Sequence, residues 1–252
     1  MNAQVKWNSE QSGTGEQPFV WLHGWGHDLN AFKRMAGLFA DAGHHTLYDQ
    51  PGFGQTPILA EGANTKHYAD ALASQLTSSK DTILIGHSYG GRVAVQMAAH
   101  YPEKIKAIVL IGGAGLKRRR SIKFKARAFF LKTIGRLARL SDAVLKTNFR
   151  AKYVARFGSS DYKNAGPLRA TLVSAVNEDL SAVARKIKCP TLLIYGSDDT
   201  ETPPEIGRKY ETLIPIARYE ELSGYGHNDI LSRGAYQCEA LIKAFLKDLR
   251  DD

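Results

Sequence analysis

Ser88 stands at the centre of Gly86-His87-Ser88-Tyr89-Gly90-Gly91, a G-x-S-x-G pattern. The apolar run Ile83-Leu84-Ile85 enters it and an Ala-rich run from Arg92 to His100 leaves it. Glycines two positions to either side of a serine suit a very sharp strand-to-helix turn. Two backbones then pass without a Cβ clash, and the serine is held in a strained conformation with its Oγ exposed. The helix that follows aims its first N–H groups at the point where negative charge would develop. A serine hydroxyl is a poor nucleophile until a base removes its proton, so this turn needs a histidine, and the histidine needs a carboxylate on its far nitrogen.

Eight histidines are available. His227 sits in the glycine-rich loop Gly224-Tyr225-Gly226-His227, after the last predicted strand and before the last predicted helix, and is the candidate base. His23 and His87 flank other glycine loops and read as packing or loop-bracing residues. His27, His44, His45, His67 and His100 read as surface or locally hydrogen-bonded groups. Asp198 and Asp199 follow Gly196, with Glu201 a third carboxylate. One of the aspartates is expected to serve the turn ahead of Pro203 while the other orients His227. The order Ser88, Asp198 or Asp199, His227 is a Ser…Asp…His order. A tetrahedral oxyanion needs two N–H donors. Tyr89, directly after the serine, supplies one, and the His23-Gly24-Trp25-Gly26 loop supplies the other, most naturally from Trp25.

The elements that would position these groups alternate. Predicted strands are Pro18–Leu22, His45–Tyr48, Thr82–Ile85, Ile105–Ile111, Thr191–Tyr195 and Ala217–Leu222. Predicted helices are Asn30–Ala42, Lys66–Thr77, Arg92–His100, Pro203–Leu213 and Leu231–Leu249. Short apolar strands bounded by Gly and Pro and separated by helices imply an α/β protein with a mostly parallel sheet covered on both faces. Ligands of such sheets bind beyond the carboxyl ends of the strands, where all the candidate residues lie.

The rhythm breaks between Leu116 and Lys186. Phe124, Ala128, Leu131 and Ile134 recur at helical spacing, with Lys125, Lys132, Arg136 and Arg139 on a different face. This predicts a helical cap with one apolar and one cationic side. The expected division is core 1–115, cap 116–185 and core 186–252. The chain has 252 residues and a formal charge of +9. Fourteen of its 34 Lys and Arg lie between Lys117 and Arg156 beside one acid, Asp142, while the remainder carries more acids than bases. The positive excess is therefore wholly in the cap, which suits docking of an acidic carrier protein, a coenzyme A phosphate or an anionic surface. Arg118, Arg119, Arg120, Phe124 and Phe130 are the candidate contacts. The cap's aromatic residues, Phe124, Phe129 and Phe130, read as cap core or acyl-pocket wall rather than a base-stacking platform, so nucleic acid is not expected. Cys189 and Cys238 lack metal-ligand spacing and read as thiols in a reducing compartment. With no apolar leader and no apolar run long enough to span a bilayer, a cytoplasmic location is expected.

These motifs together resemble those of the α/β-hydrolase superfamily. The likeness runs through His23-Gly24-Trp25-Gly26, Asp49-Gln50-Pro51-Gly52-Phe53-Gly54, the Ser88 turn, Gly196-Ser197-Asp198-Asp199 with Pro203, and Gly226-His227. It implies an α/β-hydrolase fold with a helical cap insertion, Asp199 as the triad acid with Asp198 as the alternative, and Trp25 and Tyr89 as oxyanion donors. It also implies that neither metal nor organic cofactor takes part. Members with dehalogenase or epoxide hydrolase activity carry aspartate at the nucleophile position, so Ser88 argues against both. The loop Leu22-His23-Gly24-Trp25-Gly26 and the basic cap are also similar to esterases that cleave the methyl ester of a carrier-bound pimeloyl chain. The activity expected is serine hydrolysis of small-molecule carboxylic esters through an acyl-enzyme. One alternative is an esterase or thioesterase acting on acyl chains carried by acyl carrier protein or coenzyme A. Another, of a different class, is a ligand-binding or receptor-like protein with a residual triad.

Overall fold

The computed structural model describes residues 5–76, 81–118, 130, 133, 134, 141, 142 and 160–251. In it, seven strands form one sheet: β1 (Ser9–Ser12), β2 (Pro18–Leu22), β3 (His44–Tyr48), β4 (Thr82–His87), β5 (Ile105–Ile111), β6 (Thr191–Gly196) and β7 (Ala217–Leu222). Their order is β1-β3-β2-β4-β5-β6-β7. Only β1 runs antiparallel, pairing with β3, and every other neighbour is parallel. This is the doubly covered α/β sheet that the alternation of strands and helices predicts.

The central strands β2, β4, β5 and β6 are buried on both faces, and the side-chain period of two divides them between two cores. Val20, Leu22, Leu84, Ile108, Leu110, Leu193 and Tyr195 belong to one core. They share it with α2 (Thr65–Gln75) and α3 (Tyr89–His100), through Tyr68, Leu72, Val93 and Met97. Phe19, Trp21, Ile83, Ile85, Val109, Ile111, Leu192 and Ile194 face the other. They meet α1 (Asn30–Gly37) and the closing helix, through Phe32, Met35, Cys238 and Ile242. Cys189 and Cys238 form no disulfide.

Beyond shifts of one to three residues at element ends, three features differ from the sequence reading. The polar segment Ser9–Ser12 was not expected as a strand. All four residues are exposed, so main-chain pairing with β3 holds it rather than a buried pattern. Helix α1 stops at Gly37, after which i→i+3 bonds such as Leu38 N–H to Met35 O and Phe39 N–H to Ala36 O tighten the chain. The single closing helix is two, Asp229–Ser232 and Ala235–Asp251, because the Arg233 and Gly234 N–H groups both fold back to the Asp229 carbonyl.

After β5 the chain leaves the sheet. Residues 130, 133, 134, 141 and 142 are helical. The returning part holds α4 (Ser160–Asn164), a 3₁₀ turn (Gly166–Leu168), α5 (Arg169–Asn177) and α6 (Ser181–Ala184). The expected cationic face of the cap, with Lys125, Lys132, Arg136 and Arg139, lies outside the described residues. Helix α7 (Pro204–Leu213) then connects β6 to β7, and Asp229–Ser232 and Ala235–Asp251 become α8 and α9.

Candidate active site

The strand order reverses direction at β2. The chain passes from β2 outward to β3 and then returns to β4 on the other side. At such a switch point the loops leaving two neighbouring strands diverge and open a crevice. Here those loops are His23–His27 after β2 and the Ser88 turn after β4.

Ser88 adopts φ 50° and ψ −108°, the only positive φ of a non-glycine among the described residues. The glycines that flank it are steric requirements. A Cβ on Gly90 would fall 2.1 Å from the Leu22 carbonyl oxygen, and one on Gly86 would fall 2.6 Å from the Gly90 backbone. The turn is pinned by Ser88 N–H donating to Ile111 O at 3.2 Å, Gly90 N–H to His23 O at 3.1 Å, and Ala114 N–H to Ser88 O at 3.1 Å.

His227 is buried, and its Nδ1 lies 2.7 Å from Asp199 Oδ2. Asp199 is buried as well. Its Oδ1 accepts the Glu201 and Thr202 N–H groups, each at 2.8 Å. The Thr202 hydroxyl is 2.8 Å from both Asp199 Oδ2 and the Gly112 carbonyl, and 3.0 Å from His227 Nδ1. Burial alone would raise the Asp199 pKa. The His227 hydrogen bond and charge, with the Thr202 donors, outweigh it and hold the carboxyl below its ordinary value. An ionised Asp199 fixes the proton of His227 on Nδ1 and leaves Nε2 as the basic nitrogen.

Asp198, the alternative acid, is exposed. Its carboxylate accepts the Ser197 hydroxyl at 2.8 Å, and its N–H donates to Tyr225 O. The expected division of labour between the two aspartates does not hold. Asp199 performs both tasks, Oδ1 closing the turn and Oδ2 holding the imidazole. Glu201 touches the other side of the ring, its Oε2 being 3.6 Å from His227 Nε2.

His87 takes the loop-bracing role, one of the two that its place beside the glycines suggested. It is fully buried, and its Nε2–H donates to the His227 carbonyl at 2.9 Å, with the two rings 4.6 Å apart. Burial, then the neighbouring His227, push its pKa down to about 3, so it braces the loop as a neutral ring. His23 holds the opposite loop. Its Nδ1–H donates to Gly24 O at 2.7 Å and its Nε2 accepts Gln50 N–H at 3.0 Å.

Trp25 and Tyr89 lie on adjoining loops with their rings 5.4 Å apart, edge to face. Tyr89 N–H is the first of α3 and has no intrahelical acceptor to reach. Among the described residues, neither it nor Trp25 N–H donates to another group. Gly24, Trp25, His87, Ser88 and His227 line one cavity of about 930 Å³. Phe53, Glu201 and Asn228 complete its inner wall. Asp161, Asn164 and Leu168, returning from the insertion, form the outer one.

The expected cap contacts fare differently. Arg118 donates from Nη1 to Thr200 O at 3.0 Å and has Nε 3.5 Å from Glu205 Oε1, lining a separate cavity. Phe130 is exposed and lines neither cavity. Arg119, Arg120 and Phe124 lie outside the described residues. Sequence reasoning missed Thr202, although a hydroxyl three residues after a turn-forming aspartate is a readable signal. Among the described residues no cluster of three or more His, Cys, Asp or Glu could hold a metal. No described helix is long and apolar enough to cross a membrane.

Comparison with known proteins gives a consistent frame. A family model for the alpha/beta hydrolase fold matches residues 17–233. A pimeloyl-[acyl-carrier protein] methyl ester esterase of Chromobacterium violaceum is 29% identical over 231 residues, covering 84% of this chain and 88% of that protein. A 2-hydroxy-6-oxononadienedioate/2-hydroxy-6-oxononatrienedioate hydrolase of Burkholderia vietnamiensis is 27% identical over 249 residues, covering 89% and 85%. The crystal structure of the enol-lactonase from Burkholderia xenovorans superposes with a TM-score of 0.71 at 23% identity, covering 97% of this chain and 98% of that one.

Proposed function

The chain belongs to the α/β-hydrolase family, and from that premise we propose that it is a serine hydrolase of carboxylic esters acting through Ser88, His227 and Asp199. One observation carries the assignment of roles. A strained serine at a helix N-terminus and a histidine bonded through Nδ1 to a buried carboxylate open onto the same cavity. Ser88 Oγ attacks the acyl carbon while His227 Nε2 takes its proton. The Trp25 and Tyr89 N–H groups receive the oxyanion. The alcohol leaves with the proton from His227, and water activated by the same nitrogen releases the acid. Asp199 remains ionised throughout. Ser88→Ala should lower kcat on p-nitrophenyl acetate by about 10⁵-fold or more, with little change in thermal midpoint. Wild-type turnover by that variant would remove the assignment.

A second reading specifies the substrate as an acyl chain borne by an acidic carrier protein or by coenzyme A. It is supported by the carrier-linked substrate in the name of the Chromobacterium relative and by the basic segment Lys117 to Arg156. On this reading 116–185 is the cap, the core is 1–115 with 186–252, and the protein works in the cytoplasm. Attraction between opposite charges is screened by salt. Raising ionic strength should therefore depress kcat/KM for the carrier-bound substrate and leave a small neutral ester unaffected. Replacing Arg118, Arg119 and Arg120 with Ala should reproduce that difference. Equal effects on both substrates would count against carrier docking.

A further inference from the structure

A second cavity, of about 350 Å³, adjoins the Ser88 cavity and shares Glu201 with it as a wall. Its lining includes Arg92, Lys117, Arg118 and Glu178. Arg92 is the residue that the esterase chemistry leaves unexplained. It sits on α3 four positions after Ser88, one helical turn or about 6 Å along the axis. Its Nη1 is buried with no hydrogen-bond partner, and among the described residues no carboxylate forms an ion pair with the guanidinium. Glu178, the nearby acid, is engaged elsewhere, accepting the Thr65 hydroxyl at 2.5 Å. Arg92 is half-buried, and the charge of nearby Glu178 offsets its desolvation only in part, so a buried Nη1 without an acceptor is costly. One backbone bond links the linings of the two cavities. Ala114 N–H donates to Ser88 O, and Ala114 itself lines the Arg92 cavity.

We infer that the Arg92 cavity is a carboxylate subsite, and that substrates include mono-esters of short dicarboxylic acids, with the ester at Ser88 and the free carboxylate on Arg92. This rests on the esterase reading of Ser88. A guanidinium is planar and presents parallel N–H donors that match a carboxylate in two bonds. Lys117 adds a second positive charge from the rim. Helical side chains lean back toward the helix N-terminus, so the separation from Ser88 is set by one turn, ~6 Å, which is the span of a linker of a few methylenes. A phosphopantetheine phosphate, two amide units away from its thioester, lies too far from the reacting carbon to fill the same place. The linker length is therefore what makes the subsite selective for half-esters.

The test compares monomethyl glutarate and monomethyl adipate with methyl pentanoate and methyl hexanoate, by proton release at constant pH. In the wild-type protein kcat/KM should favour each half-ester by about tenfold or more, the scale of one charge-assisted bond. Arg92→Gln should abolish that preference, while Arg92→Lys should keep part of it. A half-ester hydrolysed no better than its neutral counterpart by the wild type overturns the subsite, as does a preference that survives Arg92→Gln. Should the Gln variant not fold, the wild-type comparison and Arg92→Lys still decide the matter. Calorimetric binding of monomethyl adipate to Ser88→Ala reads the subsite without turnover. Binding that weakens about tenfold on adding Arg92→Lys supports the subsite, and no measurable binding overturns it. Failure of all four esters to turn over would instead sink the esterase reading and leave the calorimetry to judge Arg92.

Discussion

Asp199 and Asp198 are neighbours in sequence with opposite environments. Asp199 is buried and receives two backbone N–H groups, one hydroxyl and one imidazole N–H, whereas Asp198 faces solvent and meets a serine. Removing the charge from the first leaves His227 without the acceptor that selects its tautomer. Asp199→Asn should therefore lower kcat by about 10⁴-fold while leaving most of the fold intact. Asp198→Asn should change it by less than about threefold, since an exposed neutral pairing contributes little. Steady-state kinetics on one p-nitrophenyl ester separates the two, and a reversed order would transfer the acid role to Asp198. At this scale spacing after Gly196 admits either residue, and the resemblance to the α/β hydrolases pointed to Asp199. In the structure Asp199 reaches the imidazole and Asp198 meets Ser197.

Among elements, the Ser88 turn is the junction that the rest of the sheet must accommodate. Gly86 and Gly90 allow α3 to start against the ends of β2 and β4, and the Gly90 N–H bond to His23 ties the nucleophile loop to the Trp25 loop. Gly90→Ala should thus be far more harmful than an ordinary helix substitution. Its Cβ would meet the Leu22 and His23 carbonyl oxygens at 2.1 and 2.7 Å, neither of which belongs to a movable side chain. A loss of about 3 kcal/mol or more, read from the urea midpoint, is the expected outcome. A stable, active variant would show that the turn relaxes more freely than its contacts imply. The turn itself was legible, since the G-x-S-x-G pattern between an apolar run and an Ala-rich run describes it almost fully. The edge strand Ser9–Ser12 was not, because a polar strand held only by its main chain leaves no periodic trace.

Over the whole molecule, the site is assembled by loops from five strand ends, and two of its braces are neutral buried histidines. Burial is the first cause in both, lowering His23 to about 4 and His87 to about 3, and it lowers His45 as well. An unfolded chain binds protons at these positions below about pH 6.5. The folded protein resists protonation until far lower pH, so unfolding takes up protons throughout that interval. The histidines' contribution to stability is complete above about pH 6.5 and falls as pH drops toward 4, by about 1.4 kcal/mol per pH unit for each of His23 and His87. Asp199, whose folded pKa is depressed, adds a further loss in still more acid solution, once its carboxylate protonates. Urea midpoints measured from pH 7 to pH 4.5 should decline steadily. A flat profile would mean that these rings gain partners on protonation.

From its residues alone the chain declared an alternating α/β fold, the sharp turn at Ser88, the loop position of His227 and a choice of two aspartates to meet it. These are set by local rules: apolar period, glycine at crowded turns, and loop residues following strands. The contacts of Asp199 with both the turn and the imidazole, the bracing of His227 by His87 and the burial of Arg92 Nη1 with no acceptor among the described residues were decided only in three dimensions. The two contacts with His227 join groups 28 and 140 residues apart, and packing rather than spacing brings such groups together.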